Sequence, residues 1–505
     1  MKGTRDPVLA VDIGTSATKA VIFDGRGAIL AQARQSYPMH TPRPDWTEQD
    51  PDVVLAAVQE AIRLVYQSRP AAMGVAAVAF SAQWYSIMPV AADGRPLAHY
   101  LTWSDRRSAA QADALRRDAR ADEIYRRTGC PIDAIYPLAK IAWLKSQEAG
   151  RQAARFLSIK EYVFHRLFGD YLVDWGMASA TGLFDIRQKT WSAPALEAAG
   201  ISARVLSQPV SPQTILTRWN PDVLRATGLP QGLPCVLGGG DGALASIGVG
   251  AVGRGVAAVN VGSSAAARCL VREPATDPKG RLWTYLVDEG WWVTGGIVSS
   301  GAVVYEWFLR QIGTGAKIGT ERGPVVEPGD IHAAMNALAA TVPPGADGVR
   351  FLPYLSGEQC PVWDPRTTGA LVGLALSHTR AHLARAVYEG ITASIARIVD
   401  AIRDLFGPIE EIRVTGGLTA APVWLRIAAD MLGARVRVPE SPEGSALGAA
   451  VMAWVALGMA HGLDAAAEVA RARETIEPDP ATEAFYRRHR REMQRVLDLL
   501  KSAQE

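Results

Sequence analysis

The chain has 505 residues, of which 48% are hydrophobic and 21% are charged. At roughly 100–200 residues per domain this length predicts two or three domains, and the composition excludes a disordered or collagen-like chain. The formal net charge of +2 provides no strong field for nucleic acid or an anionic membrane surface, and we expect neither as a partner.

Cysteine usage and the apolar segments indicate the compartment. The four cysteines, Cys130, Cys235, Cys269 and Cys360, are far apart and include no C-x-x-C pair, so they suggest no disulfide framework. The first residues lack the pattern of a signal peptide. Residues 444–463 contain no Asp, Glu, Lys or Arg and would be long enough to span a membrane, but their many Ala and Gly residues favour a buried helix. We therefore predict a cytoplasmic protein.

The first hundred residues predict three strands, a helix and a further strand. Apolar runs at 8–14, 20–23 and 28–31 are separated by turn residues, including an Asp-Gly pair that is typical of a hairpin. Between 51 and 65, apolar residues recur at the spacing of an amphipathic helix, and 75–80 is another apolar run.

An internal echo divides the chain into two halves. Residues 11–16, Val-Asp-Ile-Gly-Thr-Ser, resemble residues 259–264, Val-Asn-Val-Gly-Ser-Ser, and each lies between two apolar runs. Such an echo is what a duplicated domain would show. Because 248–255 is rich in glycine, we predict a boundary there and two domains, residues 1–250 and 251–505.

The first copy of the echo is a candidate phosphate-binding hairpin. Gly14 permits a tight turn, and the backbone N–H groups and hydroxyls of Thr15 and Ser16 can donate to phosphate oxygens. Lys19 returns on the second strand as a positive charge. Asp12, at the end of the first strand, can orient a magnesium ion through water. A simple exposed hairpin turn is the alternative interpretation.

The second copy, Gly262-Ser263-Ser264, is a second candidate phosphate hairpin. Two such hairpins facing each other would clamp a triphosphate. This arrangement differs from a Walker-type loop, whose G-x-x-x-x-G-K-[ST] pattern does not occur in the sequence.

Asp241 is the candidate catalytic base. It follows three glycines, 238–240, and an aspartate on such a turn can approach both a substrate hydroxyl and a γ-phosphate. An N-cap for the next helix is the alternative role. Two dinucleotide-like glycine patterns, at 248–253 and 238–243, are set aside because the first precedes a strand and the second lacks an acidic ribose partner.

Two other clusters have simpler interpretations. His378 and His382 are four residues apart but lack a third zinc ligand, so we predict that they lie at the start of a helix. The arginines within 487–491 are expected on the solvated face of a C-terminal helix.

Beyond these motifs, the sequence resembles the FGGY family of carbohydrate kinases over nearly its whole length. Residues 137–144, Pro-Leu-Ala-Lys-Ile-Ala-Trp-Leu, resemble one family signature, with a departure at Ser146. Residues 369–389 resemble a second, longer signature. The resemblance implies an α/β fold in which two ribonuclease-H-like domains of the actin–hexokinase type flank a central cleft.

The resemblance also implies roles in nucleotide binding and catalysis. ATP and Mg²⁺ would be the cofactors, and the two hairpins would bind the phosphates. Asp241 would be the base, and Asp12 would assist through the metal ion. Gly416-Gly417 resembles the adenosine-binding turn, with the helix start at 443–448 beside it, and Gly301 falls in a stretch that often lies near the nucleotide.

By the same resemblance, the sugar pocket would be formed by two segments and the catalytic aspartate. The residues are Gln83, Trp84, Tyr85, Trp103, Asp105, Arg106 and Asp241. Gln83 matches related xylulokinases, whereas Trp84 and Tyr85 replace their usual Met-His. Core packing is the alternative for Trp84 and Trp103.

The expected activity is transfer of the γ-phosphate of ATP to a hydroxyl of a small sugar or sugar acid. We place D-gluconate ahead of D-xylulose because residues 127–132, residues 159–164 and the Asp241-Gly242 pair resemble gluconokinases. Arg106 is the candidate partner for a substrate carboxylate, although it can instead pair with a neighbouring acid.

Several alternatives remain at this point. Another pentulose or polyol kinase of the family is one, and a nucleotide-driven clamp without sugar chemistry is a second. A sugar-sensing regulator would carry a DNA-binding helix-turn-helix, for which the short stretch before Val8 is expected to leave no room. A homodimer is possible.

Overall fold

The computed structural model describes residues 5–68, 74–313, 331–364 and 366–502. They form two compact units. The first unit comprises residues 1–253, 270–294 and 443–471, and the second comprises 254–269, 295–442 and 472–505.

Within the described ranges, the strands in chain order are β1 (Val8–Ile13), β2 (Ala17–Phe23), β3 (Ile29–Ser36), β4 (Glu48–Gln49), β5 (Ala77–Ala82), β6 (Met88–Val90), β7 (Tyr100–Leu101), β8 (Arg155–Leu157), β9 (Leu172–Asp174), β10 (Phe184–Asp185), β11 (Thr190–Trp191), β12 (Gln208–Val210), β13 (Ile215–Leu216), β14 (Cys235–Gly240), β15 (Val256–Val261), β16 (Ala265–Val271), β17 (Trp283–Asp288), β18 (Trp291–Val298), β19 (Arg350–Leu352), β20 (Ala370–Val372), β21 (Glu411–Gly416), β22 (Arg435–Pro439) and β23 (Ala472–Ile476).

The α-helices of the same ranges are α1 (Pro51–Ser68), α2 (Ala109–Arg116), α3 (Ala121–Thr128), α4 (Pro137–Leu144), α5 (Glu148–Arg151), α6 (Ile159–Phe168), α7 (Trp175–Ser179), α8 (Ala193–Ala199), α9 (Pro221–Thr227), α10 (Asp241–Gly248), α11 (Ala302–Phe308), α12 (Ile331–Ala340), α13 (Arg380–Phe406), α14 (Pro422–Leu432), α15 (Gly444–Ala456), α16 (Ala466–Val469) and α17 (Pro480–Ser502).

The main sheet of the first unit has the strand order β13-β14-β5-β1-β2-β3. Strand β1 pairs antiparallel with β2 and parallel with β5, and β14 is parallel to β5. The predicted early strands and helix are confirmed, although β3 extends to Ser36. Its side chains alternate between exposed and half-buried, as expected for an edge strand.

Helix α1 shows how the sequence forms the core beside this sheet. It begins with Pro51 at its first position, and the Asp50 carboxylate accepts a hydrogen bond from the backbone N–H of Asp52 at 2.9 Å. Val58 and Ile62, four residues apart, are fully buried in the same apolar cluster as β1. Burying each such side chain contributes about 1.5–3 kcal/mol, which holds α1 against the sheet.

The sheet of the second unit repeats the same local pattern. Strand β15 pairs antiparallel with β16 and parallel with β21, and β21 is parallel to β22. In each unit, therefore, a hairpin is followed by a later strand that runs parallel to its first strand. This repetition is what the internal echo predicts, and it accounts for the two-domain α/β character of the chain.

Helices α10 and α15, both in the first unit, pack closely through glycines. A Cβ atom on Gly248 would lie 1.9 Å from the carbonyl oxygen of Gly444, and one on Gly448 would lie 1.9 Å from that of Leu244. Only glycine allows this approach. The interpretation of 444–463 as containing a buried helix is confirmed, because nearly all of α15 is buried. Across the described ranges, none of the helices has the length and apolar character needed to cross a membrane.

Candidate active site

The first hairpin places Asp12 and Lys19 side by side. The two residues are directly paired across the antiparallel ladder between β1 and β2. Lys19 Nζ also lies 2.8 Å from Glu443 Oε2, immediately before α15. Lys19 is partly exposed, so this ion pair is screened by solvent, and another anion can compete for the ammonium group.

The Asp12 side chain is half-buried at the end of β1. Burial raises its pKa above the ordinary value, while the Ser81 side chain and the nearby charge of Lys19 oppose that rise. Its Oδ1 atom is buried without a hydrogen-bond partner among the described residues. A buried carboxylate oxygen left in this way is a suitable ligand for a hard cation or its water shell.

The turn of the first hairpin is held by Tyr37. The Tyr37 hydroxyl donates to the carbonyl oxygen of Gly14 at 2.6 Å, and the Tyr37 N–H donates to that of Ser16 at 3.2 Å. Gly14 N–H closes the turn by donating to the Ala17 carbonyl at 3.1 Å. The Ser16 side chain is exposed, so its hydroxyl is available to a ligand.

Gln83 connects this turn to the segment around Trp103. Its Nε2 donates to the Tyr100 hydroxyl at 3.0 Å and to the Gly14 carbonyl at 3.3 Å. The Thr15 hydroxyl accepts a hydrogen bond from Trp103 Nε1 at 3.1 Å. The structure thus brings together two residues predicted for the sugar pocket, Gln83 and Trp103, with two predicted for the phosphates, Gly14 and Thr15.

Asp241 stands where β14 turns into α10. Gly238 has a φ of +66°, and a Cβ on it would lie 1.9 Å from a backbone oxygen of β5. A Cβ on Gly240 would lie 1.7 Å from Trp84 Nε1. Gly240, rather than Asp241, is the N-cap, and Asp241 is the first helical residue, with its Oδ1 accepting from Gly242 N–H at 2.7 Å. Trp84 and the glycine run therefore define where Asp241 stands.

Trp84 and Tyr85 are buried in an aromatic cluster of the first unit. Trp84 packs edge-to-face on Trp283 and Tyr285, with ring centroids 5.7 and 5.2 Å apart. The hydroxyls of Tyr85 and Tyr285 are 3.1 Å apart, and those of Tyr136 and Tyr285 are 2.9 Å apart. Tyr85 adopts a φ of +66°, which is uncommon for a residue with a side chain. Both residues thus shape the wall next to Gly240.

Asp105 and Arg106 make separate ion pairs. Asp105 is fully buried, accepts from Thr47 N–H at 2.7 Å and pairs with Arg107 at 2.8 Å. Arg106 donates to Asp133 at 2.9 Å, which is the alternative that the sequence left open. The Asp105 carboxylate therefore shapes the loop, while the Arg106 side chain is 29% exposed.

In the second unit, Gly301 fits tightly against the second hairpin. A Cβ on Gly301 would lie 2.3 Å from the carbonyl carbon of Ser264 and 2.6 Å from the oxygen of Gly262. The first two N–H groups of α11 donate to the carbonyls of Gly262 and Ser263, at 2.7 and 3.1 Å. These bonds hold the hairpin turn by its backbone.

Gly416 and Gly417 lie at the end of β21, next to the same hairpin. Gly416 has a φ of +81°, and a Cβ on it would lie 2.2 Å from the carbonyl oxygen of Val261. On the paired strands, Asn260 Nδ2 donates to the Thr415 hydroxyl at 2.8 Å. The two predicted nucleotide elements of the second unit are therefore neighbours.

Sequence reasoning missed three buried residues beside the site, namely Lys140, Lys160 and Asp174. Lys140 lies within the apolar signature 137–144, and Lys160 is the second residue of α6. Lysine within an apolar helical run was the available signal. The structure also shows that His378 and His382 lie at the start of α13, where Thr379 and His382 form a capping box.

Comparison with known proteins decides the family. Residues 7–248 match the model of the N-terminal domain of the FGGY family of carbohydrate kinases, and residues 257–457 match that of its C-terminal domain. The chain belongs to the FGGY family of carbohydrate kinases. This membership favours sugar phosphorylation over a nucleotide-driven clamp.

Individual relatives support this family membership. A gluconokinase of Bacillus subtilis (strain 168) is 34% identical over 465 residues, covering 92% of this chain and 90% of the relative. The structure of a gluconate kinase from Lactobacillus acidophilus aligns with a TM-score of 0.91 at 28% identity and covers 98% of both chains. That of a xylulose kinase from the same organism gives the same TM-score, identity and coverage. This FGGY kinase is an ATP-dependent sugar kinase that transfers phosphate to a hydroxyl group.

Proposed function

We propose that this FGGY kinase phosphorylates D-gluconate, with Mg²⁺-bound ATP as the phosphate donor. The observation that carries the choice of sugar is the 34% identity to a gluconokinase over nine-tenths of both chains. D-Xylulose is the second candidate, because the likeness to the xylulose kinase structure equals that to the gluconate kinase structure.

Asp241 is the proposed general base. A sugar hydroxyl attacks a phosphoryl group more readily when its proton has an acceptor in place, and loss of such a base lowers the rate by about 10²–10⁴. The glycine turn before Asp241 supports this role because it leaves the carboxylate at the very start of α10.

Asp12 is the proposed partner of the magnesium ion, through water. Its buried Oδ1, without a hydrogen-bond partner in the described part of the chain, fits such a role. When bound, such a cation would supply positive charge that offsets the negative charge developing during phosphoryl transfer. Asp12 would hold and orient the hydrated cation, and burial keeps the carboxylate in place.

The remaining nucleotide contacts follow from the two hairpins. We infer that Lys19 exchanges its partner Glu443 for a phosphate oxygen, since the pair is partly open to solvent. Backbone N–H groups and hydroxyls of Gly14, Thr15 and Ser16 would donate to phosphate, as would those of the second hairpin.

On the second unit, Gly262, Ser263, Ser264 and Gly301 are the proposed phosphate-side residues. Gly416-Gly417 is the proposed adenosine turn. The tight backbone contacts at Gly301 and Gly416 support these roles because they hold the turns rigid.

The gluconate carboxylate requires a cation, and Arg106 is our candidate. A guanidinium group carries five N–H donors, and the contact with Asp133 is made by Nη1. Gln83 and Trp103 would contribute to the hydroxyl side of the pocket, and Trp84 and Tyr85 to its wall. Asp105, which the sequence predicted in this pocket, would act by holding the loop through Thr47 and Arg107.

A coupled assay of ADP release over D-gluconate, D-xylulose and glycerol tests this proposal. We expect kcat/KM to be highest for D-gluconate. Arg106→Ala should lose about 10–100-fold on D-gluconate, the range for a hydrogen bond to a charged group, and less than about threefold on neutral sugars.

Arg116→Ala is the matched control. Arg116 contacts the other oxygen of Asp133 at 3.2 Å but lies outside the proposed pocket loop, so it should not change the preference among sugars. Equal losses of Arg106→Ala on all sugars, or turnover of D-xylulose alone, would contradict the assignment of D-gluconate.

The compartment, the roles of the two domains and the oligomeric state complete the proposal. We infer a cytoplasmic enzyme, with the first domain, residues 1–250, binding the sugar and the second, residues 251–505, binding the nucleotide. A homodimer remains a prediction from the sequence.

A further inference from the structure

Two lysines of the first unit are buried on separate helices. The side chain of Lys140, on α4, is 0% exposed, and that of Lys160, on α6, is 3% exposed. Removing an ammonium group from water is costly, so a buried lysine needs hydrogen-bond or ion-pair partners that replace its water shell.

Lys140 joins the two segments proposed for the sugar pocket. Its Nζ donates to the carbonyl oxygen of Tyr85 at 2.9 Å and to that of Thr102 at 2.6 Å. Tyr85 ends the segment that contains Gln83, and Thr102 directly precedes Trp103. One ammonium group therefore sets the distance between these two stretches of backbone.

Among the residues that the structure describes, no carboxylate forms an ion pair with Lys140. Asp105 is held by Arg107, and Asp133 is held by Arg106. Burial lowers the pKa of Lys140 to about 7, with the two aspartates opposing and the two arginines adding to the change. The contacts of Lys140 are thus directed to backbone carbonyls, whose position is what it can determine.

Lys160 holds the turn that carries Asp241. Its Nζ lies 2.6 Å from Asp174 Oδ2 and donates to the carbonyl oxygen of Gly239 at 3.3 Å. Gly239 is two residues before Asp241. The other oxygen of Asp174 accepts from Met177 N–H at 2.9 Å at the start of α7, so the pair connects α6, α7 and the end of β14.

We propose that Lys140 and Lys160 are positioning residues with separate effects, Lys140 on sugar binding and Lys160 on phosphoryl transfer. The inference rests on the proposed roles of Gln83, Trp103 and Asp241. It goes beyond them because it assigns each half of the site its own buried support, and a displacement of about 1 Å at such a site can cost about 100-fold in rate.

The test measures kcat and the KM for the sugar on Lys140→Met and Lys160→Met, with whichever sugar the wild type uses best. Methionine keeps the chain length and removes the donors. We expect Lys140→Met to raise the sugar KM about 10-fold or more, with kcat within about threefold of the wild type. Lys160→Met should lower kcat about 10-fold or more, with the sugar KM within about threefold.

Two further variants separate positioning from mere folding. Lys145→Met, at the exposed end of α4, should leave both constants unchanged. Lys160→Met with Asp174→Asn removes the whole ion pair, so it should regain thermal stability relative to Lys160→Met while kcat stays low.

The outcomes decide the proposal. Recovery of kcat together with stability in the double variant would overturn the role of Lys160. If Lys140→Met lowers kcat without changing the KM for the sugar, the proposed role of Lys140 is overturned. Failure of the catalytic assignment itself is distinguishable, because Asp241→Asn would then remain active whatever the lysine variants do.

Discussion

The two hairpins have the same strand pattern but different chemistry. The first, formed by β1 and β2, has Asp12 paired across the ladder with Lys19. At the corresponding position of the second, formed by β15 and β16, Asn260 is paired with Ala266. The first turn has four residues, 14–17, between the paired Ile13 and Thr18, whereas the second has three, 262–264, between the paired Val261 and Ala265.

The difference lies in what holds each turn. Around the first hairpin, the backbone N–H groups of Gly14 and Tyr37 are supplemented by side chains, namely an ion pair, the Asp12 carboxylate and the hydroxyl of Tyr37. Around the second, backbone N–H groups of α11 and the missing Cβ of Gly301 do so. We propose that the first hairpin offers mainly charged side chains to a ligand and the second mainly backbone groups, and the following substitutions test this difference.

The largest effect is expected when the polar residue at the corresponding position of each hairpin, Asp12 or Asn260, is replaced. Asp12→Asn removes the proposed metal-orienting charge and should lower kcat by at least about 100-fold. Asn260→Ala removes one hydrogen bond to Thr415, which is worth about 1 kcal/mol of stability, and should leave kcat within about threefold. Steady-state kinetics at saturating ATP and sugar measure both, and similar losses in the two variants would refute the comparison.

An intermediate effect is expected from the glycines of the second unit. Gly301→Ala places a Cβ against the backbone of Ser264 and should lower the free energy of unfolding by about 1–3 kcal/mol. For Gly262→Ala the nearest atom to the new Cβ is 3.7 Å away, so the fold should tolerate it.

The same Gly262→Ala variant should nevertheless raise the KM for ATP, because a methyl group would hinder close approach of phosphate to the backbone. Urea unfolding and ATP kinetics on both variants provide the two readouts. An unchanged KM for ATP in Gly262→Ala would argue that the second hairpin does not contact phosphate.

The smallest effect concerns pH. Burial raises the pKa of Asp12 above its ordinary value of 3.8, so the folded chain binds more protons than the unfolded chain between the two pKa values. Stability should therefore fall as pH rises through that window, by at most about 1.4 kcal/mol per pH unit from this group.

Urea unfolding between pH 4 and pH 7 should show a shallower fall in Asp12→Asn than in the wild type. Asn260→Ala should keep the wild-type slope, since it carries no titrating group. If the free energy of unfolding of the wild type and of Asp12→Asn changed in parallel with pH, the pKa of Asp12 would not be raised in the folded chain.

Much of this contrast was predictable from the sequence, because hairpins leave local signals. The apolar runs around Asp12 and Asn260, with glycine at each turn, predicted both hairpins and their repetition. Lys19 could be placed on the returning strand because it is only seven positions from Asp12.

The long-range supports could not be predicted in this way. Glu443 pairs with Lys19 across 424 positions, and no local pattern encodes that distance. Lys140 and Lys160 were missed because lysine is ordinarily exposed, and their burial depends on carbonyls that only the folded chain brings near. The aromatic cluster around Trp84 likewise includes Tyr285, which lies some two hundred positions away.

The most direct test of the proposed catalytic role of the first unit is the Asp241→Asn variant, measured for both turnover and binding. We predict that kcat falls by about 10²–10⁴ while calorimetric affinities for ATP and for the sugar stay within about threefold of the wild type. A kcat close to that of the wild type would contradict the account, because the chemistry would then lie elsewhere than on the first unit's glycine turn.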